Sequence, residues 1–123
     1  MSTNSAPTLA EALATKNAVN VALALRNGTV CVPLLPVDGE PQVRVFRRSD
    51  SDRYMLLLFS SPERYAEMVP HESDLRTTEY DASTLRGFLA DNVGVLEAVW
   101  FDVAGPNAMQ AEPQEVLSAL ELS

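Results

Sequence analysis

The sequence predicts an α/β fold in a single domain, with a mixed sheet of five or six strands and about four helices. The chain of 123 residues has the size of one domain. Its first half alternates apolar runs with turn residues, which favours an N-terminal antiparallel meander. Its second half alternates apolar runs with capped amphipathic segments, which favours a βαβαβ unit with parallel strands. We expect the domain to cover residues 7–123, and the small polar residues 1–6 to be disordered.

The first expected element is a helix that begins at Pro7 and is capped by Ser5 or Thr8. Its apolar residues follow an imperfect helical stripe, and Asn17 and Asn20 weaken its middle, so two short helices also satisfy the pattern. An Asn-Gly pair marks its end, and we expect Gly28 to take the left-handed cap conformation there.

Three strands are expected next, in the runs "TVCVPLLP", "QVRVFRRS" and "RYMLLLF". The prolines of the first run are typical of an edge strand or a strand end. The Asp-Gly pair of "VDGEP" predicts a turn before the second run. In that run Val43 and Val45 share one face, whereas Arg44 and Phe46 share the other. The third run is apolar on both faces, as a central strand requires.

Helices and strands alternate in the rest of the chain. "SPERYAEMV" predicts a helix that Pro70 ends, and "LRTTEY" predicts a short strand. "DASTLRGFLADN" predicts a helix capped by Asp81 or Ser83. A strand in "VGVLEAVWFDVAG", a short strand in "AMQA" and a helix in "EPQEVLSALEL" complete the fold. Residues expected to face the core are Tyr65, Met68, Val69, Leu85, Phe88, Leu89, Val95, Val99, Phe101, Val116, Leu117 and Leu120.

Ser60 and Ser61 lie between an apolar strand and a helix, which is the setting of an esterase nucleophile elbow. Such an elbow needs flanking glycines, which this sequence lacks. Its general base would have to be His71, the single histidine of the chain. We therefore expect Ser61 to cap the helix, with Pro62 in the first helical position, and we assign no catalytic residue.

A metal site is the second alternative. Glu63, Glu67 and His71 are spaced by four residues, so a continuous helix would align them as ligands. Glu72 and Asp74 are available to complete such a site from the following loop. Because a proline interrupts the helix before His71, an exposed charged helix face is the favoured interpretation, and no metal or other cofactor is predicted.

The distribution of charged residues along the chain indicates which class of partner it can bind. The net charge of −8 argues against a nucleic-acid partner, because binding phosphates requires clustered basic residues. Basic residues concentrate at one place, around the second predicted strand, in Arg44, Arg47, Arg48 and Arg53. Asp50 and Asp52 are available to neutralise much of this cluster locally. The alternative is a patch for a phosphate or for an acidic partner.

Trp100 and Phe101 are neighbours on a predicted strand, so their side chains point to opposite faces. We expect one to be buried in the core and the other to be available as an interface anchor. Cys31, the one cysteine, is expected to be a small buried hydrophobic residue. With no internal disulfide, no signal peptide and no apolar run long enough for membrane insertion, a cytoplasmic location is expected.

The strand and helix start "LLLFSSPERYAEM" resembles the N-terminal domain of the SseB family, named after an enhanced serine sensitivity protein. The leading helix before "NGTVCVPLLP", the helix "DASTLRGFLADN" and the final "AEPQEVLSALEL" are similar too, so the resemblance covers residues 9–122. It implies an α/β domain with no established enzymatic activity, and some relatives are associated with secretion systems, including type VII systems. Gly105 and Pro106 depart from the resemblance, because family members often carry an Asn-Pro-Gly-like turn there.

The functional expectation is a non-enzymatic module that binds another protein. Its partner-binding residues would be Trp100, Arg44, Arg47 and Arg48. The resemblance suggests an accessory factor to a secretion system, of the type VII kind, or a regulator. The alternative is a regulatory domain that binds a small ligand or a metal.

Overall fold

The computed structural model describes residues 8–121. The predicted disordered segment 1–6, the helix start at Pro7 and the alternative cap Ser5 lie outside the described residues. Five helices and five strands follow one another within that range. In chain order they are α1 (Leu9–Thr15), α2 (Ala18–Asn27), β1 (Thr29–Leu34), β2 (Tyr54–Leu58), α3 (Pro62–Met68), β3 (Arg76–Asp81), α4 (Ala82–Asn92), β4 (Leu96–Phe101), β5 (Met109–Ala111) and α5 (Pro113–Glu121).

The strands form two sheets that a single bridge joins. β1 pairs with β3 in antiparallel orientation, while β2 pairs in parallel with β4, which pairs antiparallel with β5. Cys31 and Phe59 exchange two backbone hydrogen bonds of 2.9 and 3.0 Å, and this bridge joins the two sheets. The strand order across the joined sheet is therefore β3-β1-β2-β4-β5. The mixed α/β class is confirmed, whereas the single continuous sheet is not.

β1 is a central strand, so of the two placements that its prolines predict the edge is wrong, whereas the strand end is correct, because Pro33 is its penultimate residue. Val30 to Pro33 are buried in succession, and β1 has neighbours on both sides. The carbonyl of Pro33 accepts a 2.9 Å hydrogen bond from the N–H of Arg44. Because the N–H and C=O of a residue point to the same side of a strand, the N–H that proline lacks would lie on that side. Pro33 is tolerated in β1 because residues 42–46, which lie on that side, form no regular strand that would need its N–H.

The second strand of the predicted meander does not form. The backbone of residues 42–46 forms two isolated antiparallel bridges, Leu34 with Val43 and Phe46 with Met55, and no regular ladder. The predicted alternation nevertheless holds, because Val43 packs against one side of the joined sheet and Phe46 against the other. The turn before this segment also forms, and Gly39 has the positive φ of 100° that such a turn requires.

The three strands of the predicted βαβαβ unit, β2, β3 and β4, run in the same direction as expected, but they do not all pair with one another. β2 and β4 pair in parallel as expected, but β3 does not pair with either of them. β1 lies between β2 and β3 and is antiparallel to both through its bridge and its ladder. β3 therefore runs in the same direction as β2 while occupying the edge of the sheet. The apolar β1 needs two neighbours to bury its backbone, which explains why it separates them.

The N-terminal helical segment is two helices. Thr8 and Glu11 form a reciprocal capping box at the start of α1. Lys16, with φ 55°, ends α1 in the left-handed conformation, and the side chain of Asn17 caps α2. Asn17, one of the two asparagines that weaken a continuous helix, is thus the residue that starts the second helix. Gly28 ends α2 in an extended conformation with φ −139°, so the predicted left-handed glycine cap is wrong.

The two sides of the joined sheet are covered unequally. One side, which we call the four-helix face, packs against α1, α2, α4 and α5. The other side, which we call the α3 face, carries α3 alone among the described helices. Of the predicted core residues, Val95 is 49% exposed just before β4, so its assignment to the core is wrong. Those buried on the four-helix face are Leu85, Leu89, Val99, Phe101, Val116, Leu117 and Leu120.

Candidate functional site

The α3 face is the candidate functional surface, because its apolar side chains are only partly covered. Its buried floor consists of Cys31, Leu57, Phe59 and Tyr65. The ring of Tyr65 lies 5.3 Å from that of Phe59, centroid to centroid, and fixes α3 on the sheet. Around this floor lie partly exposed apolar side chains from β2, β4, α3 and the loops: Phe46, Met55, Met68, Val69, Leu75, Trp100 and Val103.

α3 is short because its ends are fixed by sequence. The hydroxyl of Ser61 accepts a hydrogen bond from the N–H of Arg64, and Pro62 follows in the first turn, as predicted. The helix ends at Met68, before Pro70. Seven residues rise only about 10 Å. A helix of this length buries Tyr65 against the sheet, whereas Met55 of β2 and Trp100 of β4 on the same face stay partly exposed.

Trp100 lies on the α3 face, and Phe101 lies on the opposite face, where it is buried, as the alternation predicts. Trp100 is half-buried between Leu57 of β2 and Gln110 of β5, its partners in the two ladders. Its side chain is therefore partly exposed on the α3 face, on a strand that is paired on both sides.

Arg44 is the most highly connected of the four predicted arginines. Its guanidinium donates to both carboxylate oxygens of Glu72, at 2.7 and 2.9 Å, and to the hydroxyl of Tyr65 at 2.8 Å. It also lies over the ring of Phe46, 4.9 Å from the centroid. These contacts raise the pKa of Arg44 and lower that of Glu72, in both cases through the hydrogen bond between them. Arg44 thus ties the loop after α3 to the segment before β2.

The other arginines of the cluster differ in their partners. Arg48 pairs with Glu97 at 3.0 Å and more loosely with Asp50, at 3.9 Å, while Arg53 donates to the carbonyl of Leu96. Within the described residues, Arg47 is exposed and has neither a hydrogen bond nor an ion pair. Local pairing with Asp50 and Asp52 explains little of the cluster, because the closest carboxylates come from distant parts of the chain. Among the four arginines of this cluster, Arg47 is accordingly the one with most capacity for an outside partner.

A buried carboxylate is the functional-looking feature that the sequence analysis missed. Asp102, only 4% exposed, accepts hydrogen bonds of 2.7 Å from both the backbone N–H and the hydroxyl of Ser60. Its φ of 47° is unusual for a residue other than glycine. The arrangement joins the carboxyl ends of the parallel strands β2 and β4. A signal was present, since an aspartate directly after an apolar strand needs a partner if it is buried.

The geometry of the described residues supports neither a serine nucleophile nor a metal site. The hydroxyl of Ser60 donates to Asp102 rather than to a histidine, and Ser61 is a helix cap. Glu67 pairs with Arg64 on its own helix, and α3 ends before His71. No group of three or more histidine, cysteine, aspartate or glutamate residues in the range 8–121 is arranged to hold a metal ion. Burial raises the pKa of the Cys31 thiol, as for a small core residue.

One open cavity does bring several predicted residues together. It has a volume of about 410 Å³ and is lined by Arg44, His71, Glu72, Asp74 and their neighbours. Both carboxylate oxygens of Glu72 are already bound by Arg44, and Asp74 is held by Arg76 at 3.0 Å. The cavity is thus lined by charged side chains that neutralise one another, and it provides little free charge for a ligand.

Comparison with known proteins identifies the family. No curated protein and no solved structure matches the chain. No helix among residues 8–121 is long and apolar enough to cross a membrane. The family model described as the SseB protein N-terminal domain matches residues 7–118, which is most of the chain and agrees with the resemblance seen in its strand and helix starts. This chain therefore belongs to the SseB family.

Proposed function

We propose that the chain is a non-enzymatic module that binds another protein on the exposed part of the α3 face. One observation carries the proposal: a seven-residue helix is the one described helix on this side of the sheet, and it leaves seven apolar side chains partly exposed. Contiguous apolar surface of this kind, with polar residues around it, is typical of protein-binding sites. The family is not a known enzyme family, which supports the non-enzymatic part.

Trp100 is the proposed anchor of this surface. Its neighbours Met55 and Val103 are partly buried apolar residues of the same face, so a partner side chain meets apolar atoms around the indole. Tryptophan is among the residue types that most often dominate binding energy when a partner covers them. Because the backbone of β4 is paired on both sides, binding requires no rearrangement of the strand that carries Trp100.

The arginines supply the charge complementarity. Arg47 and Arg48 follow Phe46 directly in the chain, and both are exposed. The partner we propose is a protein that presents an apolar side chain beside one or more carboxylates. In a chain of net charge −8, this local positive charge would guide the orientation of the partner more than it would increase affinity.

The cellular role that fits this surface is an accessory factor to a secretion system, of the type VII kind, or a regulator. The support is the family resemblance together with a surface suited to a protein rather than to a substrate. We propose a cytoplasmic location, which a single buried cysteine with no disulfide partner supports.

The experiment is affinity purification of the tagged chain from its native host, with quantitative mass spectrometry of the retained proteins. We expect Trp100→Ala to lose a stoichiometric partner, and Arg47→Glu to retain less of it and to weaken its salt dependence. Leu23→Ala, which truncates a side chain 36% exposed on α2, is the matched control and should retain it. A partner retained equally by wild type and Trp100→Ala would contradict the proposal.

A further inference from the structure

β5 leaves one of its edges without a backbone partner. It is the last strand of its sheet, and residues Met109 to Ala111 make no backbone hydrogen bond, within the described part of the chain, to any element other than β4. An edge strand of this kind is a template for another extended chain. The opposite edge, β3, carries the charged residues Arg76, Glu79 and Asp81, which discourage such pairing, whereas β5 carries none.

A cavity lies beside this free edge. Its volume of about 310 Å³ falls at the lower end of the range found for binding pockets. It is formed where α2 and α5 diverge over β4 and β5, and its apolar lining includes Val21, Leu25, Phe101, Met109, Ala111 and Val116. Four members of this lining, Val21, Leu25, Phe101 and Val116, are buried in the core, so they form a fixed floor for the cavity. An apolar side chain that points inward from an added strand would therefore enter a preformed space.

The charge around the cavity indicates the kind of segment that fits. Glu115 lines it and uses one carboxylate oxygen to accept the N–H of Glu112 at 3.0 Å, which leaves the other oxygen for a ligand. Residues 63–123, which include this edge, carry twelve acidic and three basic residues, a net charge of −9. A second copy of the chain would bring two such acidic halves together, and its own β5 offers no cation. A basic segment of a different protein is the favoured occupant.

We propose that an extended, basic segment of another protein adds to the free edge of β5, with one apolar side chain in this cavity and a lysine or arginine against Glu115. Main-chain hydrogen bonds to β5 would set the register, and the cavity would select the side chain. This surface is distinct from the α3 face. Although Trp100 is the ladder partner of Gln110, its side chain packs on the opposite side of the sheet from the cavity.

The test is a selection of random heptapeptides displayed on phage against the immobilised chain, followed by fluorescence anisotropy with the enriched peptides. We expect enriched peptides to combine an apolar residue with Lys or Arg in an extended pattern without proline at its centre. Ala22→Met and Ala119→Met narrow the cavity from two helices that accept methionine well. Each should weaken peptide binding roughly tenfold or more, because the side chain of the peptide can no longer be buried.

Three further variants make the result specific. Ala10→Met places the same substitution on an exposed position of α1 and should leave affinity unchanged. Glu115→Gln keeps the capping acceptor but removes the charge, and should weaken basic peptides about two- to fivefold. Trp100→Ala should leave peptide binding intact, so this proposal and the proposed function can fail separately. The proposal is overturned if no peptide is enriched, if binding survives both cavity variants, or if the cavity instead mediates self-association.

Discussion

At the scale of single residues, Arg44 holds together three segments that border the α3 face. Its side chain joins Phe46, Tyr65 and Glu72, which come from the segment before β2, from α3 and from the loop after α3. Each of these contacts would be weak alone, but together they hold a short helix that has few other attachments. The charged group that the sequence suggested for partner binding is thus partly engaged inside the molecule. Arg47 has no such engagement among the described residues.

The ion pair between Arg44 and Glu72 predicts a pH dependence of stability. Its hydrogen bond lowers the pKa of Glu72 below the ordinary value of 4.5, so the pair contributes fully above pH 4.5 and is lost as the pH falls through the lower folded pKa. We expect the difference in urea midpoint between wild type and Glu72→Gln to be largest near neutral pH and to disappear in acid. In an Arg44→Met background this difference should be absent at every pH.

The buried pair of Asp102 and Ser60 predicts two unequal losses of stability. Ser60→Ala removes one hydrogen bond and should lower the free energy of unfolding by about 1 kcal/mol. Asp102→Ala also leaves the N–H of Ser60 without a partner and should cost about 2–4 kcal/mol. Urea denaturation measures both changes. Equal small effects from the two substitutions would mean that the pair does not join the two strand ends.

At the scale of elements, the cap of α3 is the feature on which the α3 face depends. Ser61→Ala removes the acceptor for the N–H of Arg64 and should lower the free energy of unfolding by about 1 kcal/mol. Ser61→Asp provides an equivalent acceptor and should restore stability. If Ser61 did not cap the helix, the alanine variant would be as stable as wild type. The comparison is made by chemical denaturation of the three proteins side by side.

Element boundaries were largely predictable from the sequence because local chemistry sets them. Ser61, Pro62 and Asp81 start helices where their side chains predict, and Val43 and Phe46 face opposite sides as their alternation predicts. Strand pairing was not predictable, because it depends on contacts far apart in sequence. The insertion of β1 between β2 and β3 depends on the bridge between Cys31 and Phe59, which no local pattern indicates.

The same division applies to the candidate site. The opposite orientation of Trp100 and Phe101 follows from the two-residue period of a strand and was predictable. The partner of Arg44 was not, because Glu72 lies 28 residues away and meets it only after α3 has docked. Asp50 and Asp52, which are close in sequence, were the natural but mostly wrong candidates for the cluster. The burial of Asp102 required knowledge of the parallel pairing of β2 with β4.

At the scale of the whole molecule, the two proposed binding surfaces differ in the charge of the residues around them. The α3 face is bordered by exposed arginines, whereas the free edge of β5 lies in the strongly acidic half of the chain. Salt would weaken the capture of an acidic partner at the first surface and of a basic segment at the second. Substitutions at Arg47 and Glu115 distinguish the two, since each changes the charge of one surface alone.

The alternative of a metal-binding regulatory domain also concerns the molecule as a whole. The cavity around His71 holds carboxylates that are already bound by arginines, so we expect zinc titration by calorimetry to give no saturable heat. His71→Ala should give the same trace as wild type. A saturable heat that is lost in His71→Ala would instead support a metal-binding regulatory domain.

Site-specific photocrosslinking in the native host is the most direct test of whether another protein binds on the α3 face. A benzoyl-phenylalanine placed at Arg47 or Val103 reports on the α3 face, and one placed at the exposed Ala90 of α4 reports on the opposite side. We expect a discrete crosslink to another protein from both α3-face positions, lost when Trp100→Ala is added, and none from Ala90. A crosslink from Ala90 alone, or no crosslink from either α3-face position, would contradict the proposal.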